Sequence, residues 1–397
     1  MRIVIVLEYF YNLDKPIGGA ERQINKLAGK FIEAGVEVRL VTGQWKWGEP
    51  RNEIINTIPV YRLFTFWGMF DIRGLRKFAH YVYLISLFLY LFFNKSKYDF
   101  IHCHSAMASA FVVALAGNLF DKKTLARPMA SGSTWGDISR MKAQQSLMGS
   151  QLMLNKLKDN DVIIALNQDV VTELEELGIE SGKIVSMPNG VETDGITYKT
   201  DYKAGPVTKI TFVGRLHAQK GLETLLIAFS QVLKQIPSQK LCLQLVGTGP
   251  LQSTLEATIQ KFDIVDQVVF LGQLPDVFPV LYDSDIFVLP SRAEGMSNAL
   301  LEAMTCGLPC IVSDIPANTI LIKNRQTGLL AKVDDAEDLA QAILQLVEDQ
   351  TLREKLGQAA RQTILENYSI TSVAQKFISL YKNVLQKSST YRIRNTV

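Results

Sequence analysis

Short runs of branched apolar residues recur along the chain with an amphipathic helical segment between each pair, and they do so in two separate series. The first series opens with Arg2–Leu7, continues through a segment with apolar Ile24, Leu27, Ala28, Phe31 and Ile32, and turns at Gly35 into Val36–Thr42. Tyr98–Cys103, Thr124–Ala130, Val162–Leu166 and Lys183–Met187 read as further strands of the same kind. Strands that alternate with helices imply a parallel sheet covered on both faces, because each parallel connection needs a long crossover. The pattern lapses over residues 188–206, which are polar and rich in turn formers. It then restarts with Ile210–Val213, a helix carrying Leu222, Leu225, Leu226, Phe229 and Leu233, and strands Leu241–Val246, Val268–Leu271, Ile286–Leu289 and Pro309–Val312.

This predicts an α/β chain of two doubly wound, Rossmann-like domains facing a cleft. Residues 1–187 form the first domain, 188–206 the linker and 207–370 the second domain. Helices follow at about Ala336–Glu348, Leu352–Glu366 and Thr371–Leu385; the last, residues 371–386, is expected to pack back on the first domain, leaving 387–397 as a polar tail. Ligands of such sheets bind outside the carboxyl ends of the strands, which puts the expected site in the cleft.

A length of 397 residues accommodates two cores of this size. Lys and Arg total 42 against 39 Asp and Glu, too even a balance for a dedicated nucleic-acid binder. The four cysteines, Cys103, Cys242, Cys306 and Cys310, show neither metal spacing nor a disulfide framework, which fits a reducing cytoplasm. Residues MRIVIVLEYF enter a strand directly, so no secretory leader is expected.

Two loops carry chemistry. Leu289-Pro-Ser-Arg-Ala-Glu-Gly-Met-Ser-Asn-Ala-Leu-Leu-Glu302 runs from a strand end into a helix opening near Ser297 or Asn298, so the amides of Gly295, Met296, Ser297 and Asn298 can meet an anion there. Glu294 and Glu302 border the same pocket, and carboxylates suit sugar or ribose hydroxyls. Phe212-Val-Gly-Arg-Leu-His-Ala-Gln-Lys-Gly221 offers Arg215 as a planar fork and Lys220 as a point charge for a diphosphate. The order Lys220-Gly221 is not that of a Walker loop.

With these motifs the chain resembles the retaining glycosyltransferases of family 4, which have the GT-B fold. The resemblance also rests on Gly18-Gly19-Ala20-Glu21-Arg22, His102-Cys-His104 and Pro188-Asn-Gly-Val191, so it spans nearly the whole sequence. It implies that Arg215 and Lys220 hold the donor diphosphate, Glu302 the nucleotide ribose, and Glu294 with the following amides the transferred sugar. It further implies that Gly19 lets the first loop approach the phosphate and that His104 faces the sugar. The implied activity is retaining, metal-independent hexosyl transfer from a nucleotide-diphosphate sugar, a UDP-linked one being expected, to a glycan or lipid-linked glycan precursor, with no cofactor. Where family members often carry His-Gly, this chain reads Arg127-Pro-Met-Ala-Ser-Gly-Ser-Thr-Trp-Gly-Asp137, leaving Ser131, Ser133 or Asp137 to fill the place. A nucleotide-sugar epimerase of the same fold and a catalytically silent nucleotide-sugar-binding protein are the alternatives.

Other features have plainer readings. His102 and His104 share one face of a strand, so either can be a packed core residue, and Gly18-Gly19 can be a tight turn. Gly247-Thr-Gly249 lacks the third glycine of a dinucleotide fingerprint and reads as a strand-to-helix turn near the nucleotide. Asp283-Ser-Asp285 looks like a metal-binding pair but precedes a strand rather than following one. The run Ala79–Phe93 is the most apolar of the chain, with Arg73, Arg76 and Lys77 before it and Lys95 and Lys97 after it. It is short for a membrane span and fits either a buried helix or a helix resting on the cytoplasmic face of an anionic membrane.

Overall fold

The computed structural model describes residues 1–10, 19–70, 76–105, 108–128 and 150–394. The chain divides into two compact units, Met1–Pro188 with Ile370–Val397, and Asn189–Ser369.

The N-terminal unit is built on an eight-stranded sheet of order β3-β4-β2-β1-β5-β6-β7-β8. Its strands are β1 (Arg2–Val6), β2 (Glu37–Gly43), β3 (Asn52–Ile55), β4 (Ile58–Leu63), β5 (Phe100–Cys103), β6 (Lys123–Ala126), β7 (Val162–Ala165) and β8 (Ile184–Ser186). All pairs are parallel except β3 with β4. Consecutive residues of β1 serve opposite cores: Val4 and Val6 join one apolar cluster, Ile3 and Ile5 the other. Helices α2 (Arg76–Phe93) and α3 (Ala108–Phe120) cover the first face, followed by Ser150–Leu157. Helix α1 (Gly19–Glu33) and the C-terminal helix Ile370–Arg394 cover the second, where Phe31 meets Phe377 and Tyr381 edge-on.

The C-terminal unit holds a fully parallel six-stranded sheet of order β11-β10-β9-β12-β13-β14. The strands are β9 (Thr208–Val213), β10 (Leu241–Val246), β11 (Val268–Gly272), β12 (Ile286–Leu289), β13 (Cys310–Ser313) and β14 (Leu329–Ala331). Helices Leu222–Gln235 and Ala336–Glu348 pack side by side on it.

Both sheets reverse their winding direction once, between β1 and β5 and between β9 and β12, which are the switch points where doubly wound sheets open a binding crevice. Three elements differ from the sequence expectation. The hairpin β3–β4 extends the first sheet, turning through Asn56 and Thr57, both at positive φ. Strand β14 adds an edge to the second sheet. The C-terminal helix continues to Arg394, where a polar tail is expected.

Helix α2 is neither wholly buried nor detached. Ala79, Tyr83, Leu87 and Leu91 seat it on the sheet, while Phe78, Ile85, Leu89, Phe92 and Phe93 remain exposed on its other side.

Candidate functional site

In the C-terminal unit the two loops leaving β9 and β12 are zipped together at the switch point. Gln219 O accepts from Arg292 N at 2.8 Å, Gln219 Nε2 donates to Ala293 O at 2.8 Å, and Arg292 Nη1 donates to Ala218 O at 2.6 Å. Arg292 is fixed from outside by Asp334 at 2.8 Å. The approach depends on Gly221, which takes a left-handed φ of 64° between the turn Ala218–Lys220 and the helix Leu222–Gln235. A Cβ there would overlap the Pro290 carbonyl oxygen.

This closure brings Lys220 and Glu294 together. Lys220 Nζ lies 2.5 Å from Glu294 Oε1, which also accepts from Ser291 Oγ at 2.7 Å. Both ends of the pair are largely buried, so the carboxylate is held in one place while the ammonium keeps further donors for a ligand. Arg215, on the same loop, is exposed, and no ion pair engages it among the described residues. The loop behind it is braced by the turn that follows β10: Leu216 N donates to Thr248 O at 3.0 Å. Gly247, at φ 131°, passes so close to the Gly214 carbonyl that a side chain would overlap it. The Gly247-Thr-Gly249 turn therefore shapes the cation loop.

Beyond Glu294, the segment Gly295-Met296-Ser297 leads into the helix Asn298–Thr305. Ser297 caps it, its side chain accepting from Leu300 N at 3.3 Å. Glu302 lies buried one turn inside, where burial, with the Glu302 charge as a lesser cause, pushes the Cys306 thiol up to about 12. Asn189 pins this segment: its Nδ2 donates to Met296 O at 3.1 Å and to Asn298 Oδ1 at 2.9 Å. Pro188-Asn-Gly-Val191 signals a hinge in sequence, but nothing there signals this clamp. The Asp283-Ser-Asp285 carboxylates are engaged structurally, Asp283 by Lys209 at 2.5 Å and Asp285 by Lys199 at 2.8 Å. Among the described residues, no three His, Cys, Asp or Glu side chains gather as metal ligands.

In the N-terminal unit the expected residues follow β1 and β5. Gly19 is the first residue of α1 and is exposed. His102 is a core residue: its Nδ1 lies 2.7 Å from Tyr381 Oη and its ring stacks on Phe377. Burial, with the Arg127 charge second, pulls His102 down to about 3. His104 pairs by backbone with β1, donating from N to Val6 O at 2.8 Å, and its buried Nδ1 has no hydrogen-bond partner. Burial, then Arg127 and His102, hold it well below the usual histidine range. Gly18, Ser131, Ser133, Asp137 and Arg73 lie outside the described residues, as do the side chains of Arg76 and Lys77.

One pair has no signal in the sequence. Glu8, just past β1, places Oε1 2.9 Å from His80 Nδ1 on α2, while its carbonyl accepts from Trp45 Nε1 at 2.7 Å. The partners are too distant in the chain for any spacing rule to connect them.

Comparisons with known proteins bear on the fold and the family. The family described as Glycosyltransferase Family 4 matches residues 17–194, and that described as Glycosyl transferases group 1 matches residues 202–363. The chain is 30% identical over 313 residues to the UDP-Gal:alpha-D-GlcNAc-diphosphoundecaprenol alpha-1,3-galactosyltransferase of Escherichia coli, covering 75% of this chain and 78% of that one. It is 26% identical over 307 residues to N-acetyl-alpha-D-glucosaminyl L-malate synthase of Bacillus anthracis, covering 76% and 78%. Sucrose-phosphate synthase from Thermosynechococcus elongatus superposes with a TM-score of 0.81 at 20% identity over 97% of this chain and 99% of that one. Two doubly wound sheets, a cation–carboxylate pair at the second switch point and these matches together place the chain in glycosyltransferase family 4, as a nucleotide-sugar-using enzyme of the GT-B fold.

Proposed function

We propose that the enzyme moves a hexose from a UDP-linked donor to a hydroxyl of a lipid-linked glycan precursor, with retention at the anomeric carbon, without a metal ion, and at the cytoplasmic face of a membrane. The observation that carries this reading is the Lys220–Glu294 contact at the β9/β12 switch point. Breaking a sugar–phosphate bond puts negative charge on the leaving diphosphate. Lys220 and Arg215 supply fixed positive charge for it, and the amides of Gly295, Met296, Ser297 and Asn298 add the field of a helix start. This preorganised set substitutes for a divalent ion, and the Lys209 and Lys199 pairs occupy the aspartates that resemble a metal motif.

Glu294, held by Lys220 and Ser291, accepts from the hydroxyls of the transferred sugar, and Glu302 accepts from the ribose. His104 is assigned to the sugar by its place in the family motif His102-Cys-His104. Retention needs no strong base, because the acceptor attacks on the leaving-group face and its proton passes to the departing phosphate. The donor base and lipid-linked acceptor are taken from the name of the Escherichia coli relative.

A thermal-shift panel of nucleoside diphosphates and their sugars tests the donor, since a ligand at 100 times its Kd stabilises by about 2.7 kcal/mol. UDP-sugars are expected to lead the panel. Product formation in excess EDTA, with the anomer assigned by NMR, tests the rest. An inverted product, or activity abolished by EDTA and restored by Mg²⁺, overturns the mechanism.

A further inference from the structure

The outward side of α2 carries no charged residue from Phe78 to Phe93. Ile85 is 61% exposed and Phe93 73%, with Phe78, Leu89 and Phe92 exposed between and beside them. Helix α3, packed alongside, continues the surface with Leu115 and with Leu119 at 61%. The two helices share an aromatic seam in which Phe120 of α3 stands 5.6 Å from both Phe88 and Phe92. At the start of α2 the surface extends onto the turn Phe66–Phe70, where Phe66, held at a φ of 53°, and Phe70 are exposed. Apolar surface of this extent is not what a monomer leaves to water.

The charges at its edge select the occupant. Exposed Lys95 and Lys97 follow α2, and Lys122 follows α3, with Lys95 Nζ 4.9 Å over the Phe92 ring and Lys122 Nζ 5.5 Å over the Tyr98 ring. The neighbouring Asp99 and Asp161 are already paired, with Arg2 and Lys123. Asp121 also lies exposed beside Lys122, but Lys95, Lys97 and Lys122 outnumber it, so the edge is net basic and attracts anionic headgroups. Lys95 lies along the exposed Phe92 ring, so its ammonium can reach headgroups while that ring enters the acyl boundary. No described helix is long and apolar enough to cross a membrane, so the surface rests on one leaflet.

We infer that the α2–α3 face with the Phe66–Phe70 turn is a monotopic docking surface for an anionic phospholipid leaflet. The inference deepens the proposed use of a lipid-linked acceptor, because it keeps the enzyme where such acceptors are confined. The test is sedimentation of the full chain with phosphatidylcholine vesicles, with and without phosphatidylglycerol, at low and high salt. Binding is expected with phosphatidylglycerol and is weakened by salt. Phe93→Asp and Leu119→Asp are each expected to lower partition about tenfold, and Lys95→Glu and Lys97→Glu about fivefold each. Ile85→Ser, a milder change, checks that loss does not come from misfolding, with the melting curve read alongside. Absence of vesicle binding overturns the inference, as does binding that none of these variants weakens. A dimer that Phe93→Asp dissolves into monomers, without vesicle binding, assigns the face to a second copy instead. If no UDP-sugar is bound yet vesicles are, the donor assignment fails and the docking surface stands.

Discussion

The helices that cover the two sheets have the same job and different outer surfaces. In the C-terminal unit, Ala336–Glu348 and Gln350–Asn367 turn Glu337, Gln341, Glu348, Glu354, Lys355 and Gln358 to solvent, and exposed apolar residues such as Leu365 occur singly. In the N-terminal unit, α2 and α3 turn phenylalanine, isoleucine and leucine outward. Both layers fold, so the inward stripe alone satisfies the sheet. The outer composition is therefore free to serve something else. A second contrast lies at the switch points. The C-terminal unit pairs Lys220 with Glu294, whereas the N-terminal unit carries His80 with Glu8 and the buried His102 and His104.

The sharpest way to break that second contrast is Lys220→Ala. It removes the cation facing the developing diphosphate charge, and kcat/KM is expected to fall about 100-fold. If the loss is below fivefold with the best donor, the Lys220 assignment fails. Acid should then weaken the N-terminal unit through its histidines. His102 titrates at about 3 in the folded protein, against about 6.5 in an unfolded chain. Below 6.5 the unfolded chain takes up protons that the folded one refuses, so stability falls as pH drops from 6.5 toward 3. The slope is up to about 1.4 kcal/mol per pH unit for each such histidine, and His104 acts in the same direction. Trp45, Trp47, Trp67 and Trp135 are the protein's four tryptophans. All precede residue 188, so denaturation followed by tryptophan fluorescence reads the N-terminal unit alone. An acid-insensitive midpoint between pH 6.5 and 5 contradicts the burial of these rings.

His80 sharpens the same comparison with the opposite sign. Burial pulls its pKa down, but the hydrogen bond and charge of Glu8 outweigh it, so the value is raised. Its contribution is present below 6.5 and lost as pH rises through the folded value. His80→Gln should cost less than about 1 kcal/mol at pH 6 and almost nothing at pH 9. Equal costs at both values deny the charged pair. The smallest effect concerns the outer surfaces. Ile85→Glu on α2 and Leu365→Glu in the C-terminal unit should each change stability by less than about 0.5 kcal/mol. Only the first should reduce vesicle binding, and a matched reduction from Leu365→Glu would remove the distinction between the layers.

Much of this was legible in the sequence for a physical reason. Parallel strands buried on both faces appear as continuous apolar runs, so β1, β10 and β12 stand out and the site loops follow directly from their ends. The hairpin β3–β4 did not stand out, because its turn is Asn56-Thr57 rather than Asn-Gly and Pro59 interrupts β4 near its start. The orientation of α2 was hidden because a helix that is apolar all round has no polar stripe to mark its exposed side. Alternation placed His102 and His104 on one face, but only the C-terminal helix decides between them. Tyr381 and Phe377 hold His102 as a core residue through its Nδ1 and its ring face, although His102 Nε2 and His104 Nδ1 are both buried without a hydrogen-bond partner. Lys220 and Glu294 were each marked by their loops, and their contact required Gly221, whose role is visible only once the Pro290 carbonyl lies against it.

The C-terminal helix also sets an order of events during synthesis. Val373, Phe377 and Tyr381 complete the apolar layer of a unit whose other strands were made before residue 188. At ~5–20 residues per second, translation of the intervening segment takes roughly 10–40 s. Throughout that interval the nascent N-terminal unit has α1 on this sheet face but lacks its second helix, and His102 lacks its Tyr381 partner. The continuous C-terminal unit can close on its own as it emerges, whereas the N-terminal unit waits for the end of the message. During that wait the chain depends on whatever shields exposed sheet in the cell, and a premature stop shortly after Ser369 would leave a finished C-terminal unit tethered to an unfinished partner.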